Sequence, residues 1–161
     1  MRAAEMFKNY PKMKQELTVL EFKLKEFKRI PREDIIESMN YSKPQGEHVQ
    51  ENRVSDKTGK IAVHYRQVAD RMDEEYFEGL FQRYQYLKEE LDFFEFLVSG
   101  LNGRQSDFIR DNVMEQMSWT GLMEKYGISY STVGRYRKKA ERELDRMYEF
   151  RDKVETEYML S

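Results

Sequence analysis

Five basic side chains, Arg135, Arg137, Lys138, Lys139 and Arg142, fall within residues 130–142 against one acidic residue, Glu141, a local charge of +4. Such a cluster suits phosphate oxygens and guanine edges rather than bond-making chemistry. At about 100° per residue, a helix through this segment places Val133, Tyr136, Ala140, Leu144 and Met147 on one apolar arc. Tyr130, Ser131, Gly134, Arg135, Lys138 and Arg142 fall on the opposite arc. The small residues at its start allow close approach to base edges. The major groove of DNA admits one α-helix, and Arg or Lys reading guanine is the commonest specific contact there. Tyr130, Ser131, Arg135 and Lys138 are therefore the candidate base readers. Arg137, Lys139 and Arg142 are the candidate phosphate contacts. Ser118 and Thr120 join them, because they open the preceding helix, whose first N–H groups can hold a phosphate.

Other chemistries find little support. The chain has no cysteine, which removes disulfides, thiolate metal sites and thiol nucleophiles together. His48 and His64 stand far apart without a ligand spacing, so no metal or other cofactor is expected. No Ser-His-Asp pattern or glycine-rich phosphate loop stands out, and enzymatic activity is not expected. The aromatic run from Tyr76 to Phe96 could stack on single-stranded bases. Its acidic neighbours Asp73, Glu74, Glu75, Glu89, Glu90, Asp92 and Glu95 would repel phosphates, so it reads as core or dimer interface.

The basic helix needs a scaffold, and the residues before it supply one. Ser118 can cap a short helix, Trp119 to Tyr126, whose Leu122 and Tyr126 face inward. Gly127 permits the left-handed turn, Ile128 fills the angle between the helices, and Ser129 caps the helix from Tyr130 to about Glu149 or beyond. A short helix, a tight turn and an exposed basic helix make a helix-turn-helix. Ile109, Val113 and Met117 continue one helical face ahead of it.

Further upstream, Met13, Leu17, Leu20, Leu24 and Phe27 mark a helix over 12–29, with Pro11 just before it. A second short helix follows Pro31, and residues 40–58 read as a linker. From Lys60 to about Ser99 one apolar stripe runs through Ile61, Tyr65, Val68 and Met72. It continues through Tyr76, Leu80, Leu87, Leu91, Phe94 and Val98. Either one long helix or two divided near Met72–Asp73 would satisfy it. The expectation is an all-α chain of two parts. Residues 1–100 form a helical hairpin with a long helix, for oligomerisation or polymerase contact. Residues 101–161 form the helix-turn-helix domain.

Composition agrees with long amphipathic helices. Charged residues make up 36% and apolar ones 39% of 161 residues, yet aromatics reach 14%, too many for a disordered chain. No apolar run approaches the roughly 20 residues of a membrane span. The opening Met-Arg-Ala-Ala-Glu-Met-Phe-Lys lacks the apolar core of a secretion signal, so a cytoplasmic location is expected. Net charge is −2, and residues 1–100 carry seventeen basic against nineteen acidic groups. Residues 101–161 carry eleven of each, so the basic signal exists only at the scale of one helix.

The stretch Leu101-Asn-Gly-Arg-Gln through Ser118-Trp-Thr-Gly-Leu-Met-Glu-Lys-Tyr-Gly-Ile-Ser-Tyr-Ser-Thr-Val-Gly-Arg and on to Leu144 resembles region 4 of the bacterial sigma-70 family. Its Gly-Ile-Ser-x-Ser-Thr-Val core, followed by basic residues, Ala140 and Leu144, is the most specific part. With a helical N-terminal half, the chain is similar to the ArpU/RinA-like late-gene activators of phages and prophages of Gram-positive bacteria. The resemblance implies sequence-specific binding to promoter double-stranded DNA, RNA polymerase as a partner, and a phage or prophage origin. A homodimer on two half-sites about one helical turn apart is expected with it. Two residues depart from the pattern: Met123 stands where a small Ala is usual, and Gly121 where Glu or Asp is frequent. Both lead us to expect looser packing between the two helices. No counterpart of the promoter-melting sigma region 2 is found, which argues against a complete sigma factor. Two other readings are a DNA-packaging subunit like phage small terminase and a protein-only helical adaptor.

Overall fold

The computed structural model describes residues 2–27 and 56–161. Among these it is all-α, with five α-helices, one π-helical turn and no strand. The helices are α1 (Ala3–Phe27), α2 (Asp56–Ser99), α3 (Gly103–Ile109), α4 (Trp119–Tyr126) and α5 (Tyr130–Leu160). They divide between two compact units, one of Met1–Thr18 with Tyr86–Ser161, the other Val19–Gln85.

In the first unit, α1 begins at Ala3, well before the start expected at residue 12, and Pro11 lies inside it. Pro11 removes one helical hydrogen bond, at a cost of roughly 3 kcal/mol. Against this, Met6, Phe7, Tyr10 and Met13 recur at helical spacing and are all buried. Each such burial is worth about 1.5–3 kcal/mol, so the helix persists through the proline. Phe7 and Tyr10 pack on Phe94 of α2, with ring centroids 6.0 and 5.5 Å away. The Tyr10 hydroxyl donates to Glu95 (2.6 Å), which also pairs with Lys14 (2.6 Å). The Ala3 N–H donates to Asp145 of α5 (2.9 Å).

The core of this unit is built from Leu87, Leu91, Phe94 and Val98 of α2, Phe108 and Ile109 of α3, Val113, Leu122 of α4, and Val133, Ala140, Leu144 and Tyr148 of α5. Met147, expected on the apolar arc of α5, is 44% exposed, and Tyr148 is buried in its place. Successive four-residue steps from Ala140 through Leu144 rotate the buried face by about 40° each. They bring Tyr148 edge-on to Phe93 (5.4 Å).

Ile109, Val113 and Met117, expected on one helical face, do not share one regular helix. Asn102 caps α3, accepting from the Gln105 N–H (3.0 Å), and α3 ends at Ile109. A π-turn over Arg110–Met114 follows, and the chain has left the helix before Met117. The wider π-turn keeps Val113 buried while redirecting the backbone into Gln116, whose φ of 55° is left-handed.

In the second unit, Phe27 of α1 meets Tyr76 and Phe77 of α2 (6.3 and 5.3 Å), and Tyr84 donates to Glu21 (3.2 Å). The backbone of α2 is one uninterrupted helix from Asp56, inside the expected linker, to Ser99. Asp73–Glu75 lie within it rather than opening a new one. The helix expected after Pro31, His48, residues 40–55 of the linker, and the side chains of Ile61, Tyr65, Val68 and Met72 lie outside the described residues. No described helix is long and apolar enough to cross a membrane.

Candidate nucleic-acid interface

The site is assembled from α3, the π-turn, α4 and the first half of α5. Ser118 caps α4: its backbone is extended and its hydroxyl accepts from the Gly121 N–H (3.1 Å). Gly127 ends α4 in the left-handed region (φ 61°, ψ 41°), where a side chain would be strained. Ser129 then caps α5, accepting from the Thr132 N–H (3.3 Å). Three residues thus turn the chain from one capped helix into the next.

Phe108 fixes the angle between these helices. It lies edge-on to Tyr126 of α4 (5.5 Å) and to Tyr136 of α5 (5.6 Å). Asp111 of the π-turn accepts from Lys125 (2.7 Å) and from the Tyr126 hydroxyl (2.5 Å), binding α4 to the turn before it. Burial alone would raise the Asp111 carboxyl, but these two hydrogen bonds outweigh it and hold it below the usual aspartate range. Burial, with the same carboxylate close by, pushes the Tyr126 phenol well above its ordinary range.

Away from Val133, Ala140 and Leu144, the side chains of Ser131, Arg135, Lys138, Lys139 and Arg142 of α5 are exposed, and so is Tyr130 in the first turn, about 60° round the helix from Val133. Tyr130 is 64% exposed and leans on Trp119 (4.7 Å between centroids). Arg135 donates to the Thr132 hydroxyl (3.1 Å), which in turn contacts the Ser129 hydroxyl (2.9 Å). Ser131 contacts the same Ser129 hydroxyl (3.1 Å). Sequence reasoning overlooked Thr132, although its spacing of three from both Ser129 and Arg135 was the available signal. Ser118 and Thr120 are exposed at the start of α4, with the Ser118 hydroxyl engaged as the cap.

Arg137 stands apart from this set. Its guanidinium donates to Asn112 (3.3 Å), pairs with Glu141 (3.7 Å) and lies over the Phe7 ring (5.3 Å). Asn112 also donates to the Met117 carbonyl (3.4 Å). The phosphate contact expected of Arg137 therefore meets a side chain already committed to packing, because residue 137 lies one turn from both Val133 and Ala140 on the buried face.

Gly121, from which looser packing is expected, has a local steric role. A Cβ there would stand 2.9 Å from Met117 Cγ, so the glycine makes room for the methionine as the chain enters α4. A Cβ on Gly134 would meet nothing closer than the Trp119 ring, at 3.8 Å.

Comparison of the chain with protein-family models, with curated proteins and with solved structures gave no match.

Proposed function

We propose that this chain is a sequence-specific DNA-binding protein that presents the first half of α5 to the major groove. The observation that carries the reading is the capped α4–turn–α5 pair, with Ser131, Arg135, Lys138 and Arg142 exposed opposite the buried Val133, Ala140 and Leu144. An α-helix whose polar side is basic and whose leading residues are small matches the width and the potential of that groove. On this reading α4 and α5 form a helix-turn-helix. Tyr130, Ser131, Arg135 and Lys138 meet base edges, while Lys139, Arg142 and the start of α4 at Ser118 and Thr120 meet phosphates. Arg137 acts from behind as a packing group.

The N-terminal helices are a helical hairpin in this proposal. In the second unit, later residues of α1 meet earlier residues of α2 (Glu21 with Tyr84, Phe27 with Tyr76), which supports an antiparallel pairing. The regulatory part of the proposal, activation of phage or prophage late genes with RNA polymerase at a promoter in the bacterial cytosol, rests on the sigma-70 region 4 and ArpU/RinA resemblance.

Fluorescence anisotropy of labelled promoter-length duplexes, titrated at two salt concentrations, tests DNA binding. The expected result is affinity that falls steeply with salt and differs between sequences. Trp119 is the sole tryptophan and touches Tyr130, so its emission should change on binding. An absence of binding at low salt, or equal affinity for every duplex, overturns the reading.

A further inference from the structure

The second half of α5 carries a feature that DNA binding does not use. After Tyr148 and Arg151 no residue of α5 is buried, and residues 152–160 are exposed throughout. Yet Met147, Phe150, Val154 and Tyr158, spaced by three, four and four, line one side of the helix. They are 44, 61, 40 and 83% exposed. An apolar stripe over about 16 Å of helix is the pattern of a helix–helix seam. It lies beside, not on, the face that holds Ala140, Leu144 and Tyr148, so this unit's own core does not cover it.

The charges that flank the stripe select the occupant. Along the solvent edge of the stripe Arg146 stands at its start and Glu157 near its end, and both are exposed. Two copies of α5 laid parallel would leave the two Arg146 side chains on opposite sides of the seam, and the two Glu157 likewise, with no Arg146–Glu157 pair formed. Laid antiparallel about a two-fold axis near residues 151–152, they set Arg146 against the partner's Glu157 twice. Phe150 and Val154 then interdigitate at the centre, and the helix dipoles also align favourably. Lys153 falls near the axis, where its long stem can carry the ammonium outward to water.

We infer that the chain forms a two-fold homodimer through the C-terminal half of α5, packed antiparallel along Met147, Phe150, Val154 and Tyr158. This surface is independent of the DNA-binding face, and the inference stands whether or not that reading holds.

Sedimentation of the full-length chain over a concentration series, without DNA, tests it. The expected species at high concentration has twice the 19.6 kDa mass of one chain. Phe150→Glu should weaken the dimer a hundredfold or more, since each interface loses two buried rings and gains two buried charges. Helical content by circular dichroism should stay unchanged, because Phe150 is exposed in the single chain. Arg146→Glu and Glu157→Arg should each weaken association about tenfold, and the double exchange should restore it. A wild-type chain that remains monomeric, or Phe150→Glu that remains dimeric, overturns the inference. A double exchange weaker than either single change overturns the antiparallel arrangement.

Discussion

Arg135 is the residue on which sequence reading by this chain would turn, and its surroundings explain why it and not Arg137 is suited to the task. Thr132 and Ser129 form a hydroxyl relay beneath it (3.1 and 2.9 Å), which limits the rotamers of a side chain that is otherwise exposed. Arg137, two residues on, is held by Asn112 and lies over Phe7. In the same anisotropy titrations, Arg135→Ala should relax discrimination between duplexes by about 1–3 kcal/mol. Arg142→Ala should weaken all sequences alike and reduce the salt slope by about one. Arg137→Ala should instead lower the melting temperature, because it removes packing rather than a DNA contact. Gly134 separates folding from binding in another way. Its added Cβ finds ordinary contact distance from Trp119, so Gly134→Ala should stabilise the fold by about 0.5–1 kcal/mol through helix propensity. If residue 134 approaches the bases, the same methyl should lower affinity. Gly121→Ala should gain no such stability, because Met117 stands 2.9 Å from its Cβ. Thermal melts and titrations of the two variants read these effects separately.

At the scale of elements, the helices are joined by a few polar contacts whose chemistry predicts how the fold responds to acid and to mutation. Asp111 secures the π-turn to α4, and its carboxyl is held below its ordinary value by Lys125 and Tyr126 despite the cost of burial. A depressed folded-state value stabilises the fold above the unfolded value, near 3.8, and that stabilisation is lost as pH falls through the lower folded value. Glu95 behaves alike: burial opposes the charge, but hydrogen bonds from Lys14 and Tyr10 outweigh it. Stability measured by urea unfolding should therefore decline below about pH 4, and Asp111→Asn should flatten part of that decline. Where α5 meets α2, Glu90 is 8% exposed and pairs with Arg151 (2.9 Å), whose guanidinium lies over Phe93 (4.6 Å) and Tyr148 (5.1 Å). Arg151→Met leaves a carboxylate buried without its cation and should cost about 3 kcal/mol in urea unfolding. Adding Glu90→Leu should recover most of the loss, because the uncompensated charge is then gone. The caps at Ser118 and Ser129 and the turn at Gly127 were legible in the sequence, since each uses a residue type chosen by local backbone geometry. The π-turn at Arg110–Met114 was not, because periodicity cannot distinguish a four-residue from a five-residue step when Val113 is buried either way. Nor was the start of α1, where tertiary burial of Met6, Phe7 and Tyr10 overrides the local signal of Pro11.

At the scale of the whole molecule, the two proposals constrain one another through the length of α5. Residue 134 lies about 26 Å along the helix from an axis near residues 151–152, at 1.5 Å per residue. An antiparallel pair therefore holds its two basic segments about 50 Å apart, at opposite ends of the paired helices. Half-sites one helical turn apart are separated by only 34–36 Å. One dimer cannot place both basic segments on such a pair without bending or separating α5. The one-turn spacing expected for an ordinary helix-turn-helix dimer is thus replaced by a different outcome. A duplex carrying two half-sites one turn apart should take up two dimers without cooperativity, each bound through one of its two basic segments. Wild-type protein should also hold two separate duplexes together, because the unused end of each dimer remains basic and exposed. Anisotropy titration reads the first property, and co-capture of a labelled duplex on an immobilised unlabelled one reads the second. Phe150→Glu should abolish co-capture while leaving the affinity for a single half-site unchanged, since the dimer seam and the basic face occupy different halves of the same helix. Cooperative filling of half-sites one turn apart by the wild type, retained in Phe150→Glu, would instead assign dimer contacts on DNA to the N-terminal helices.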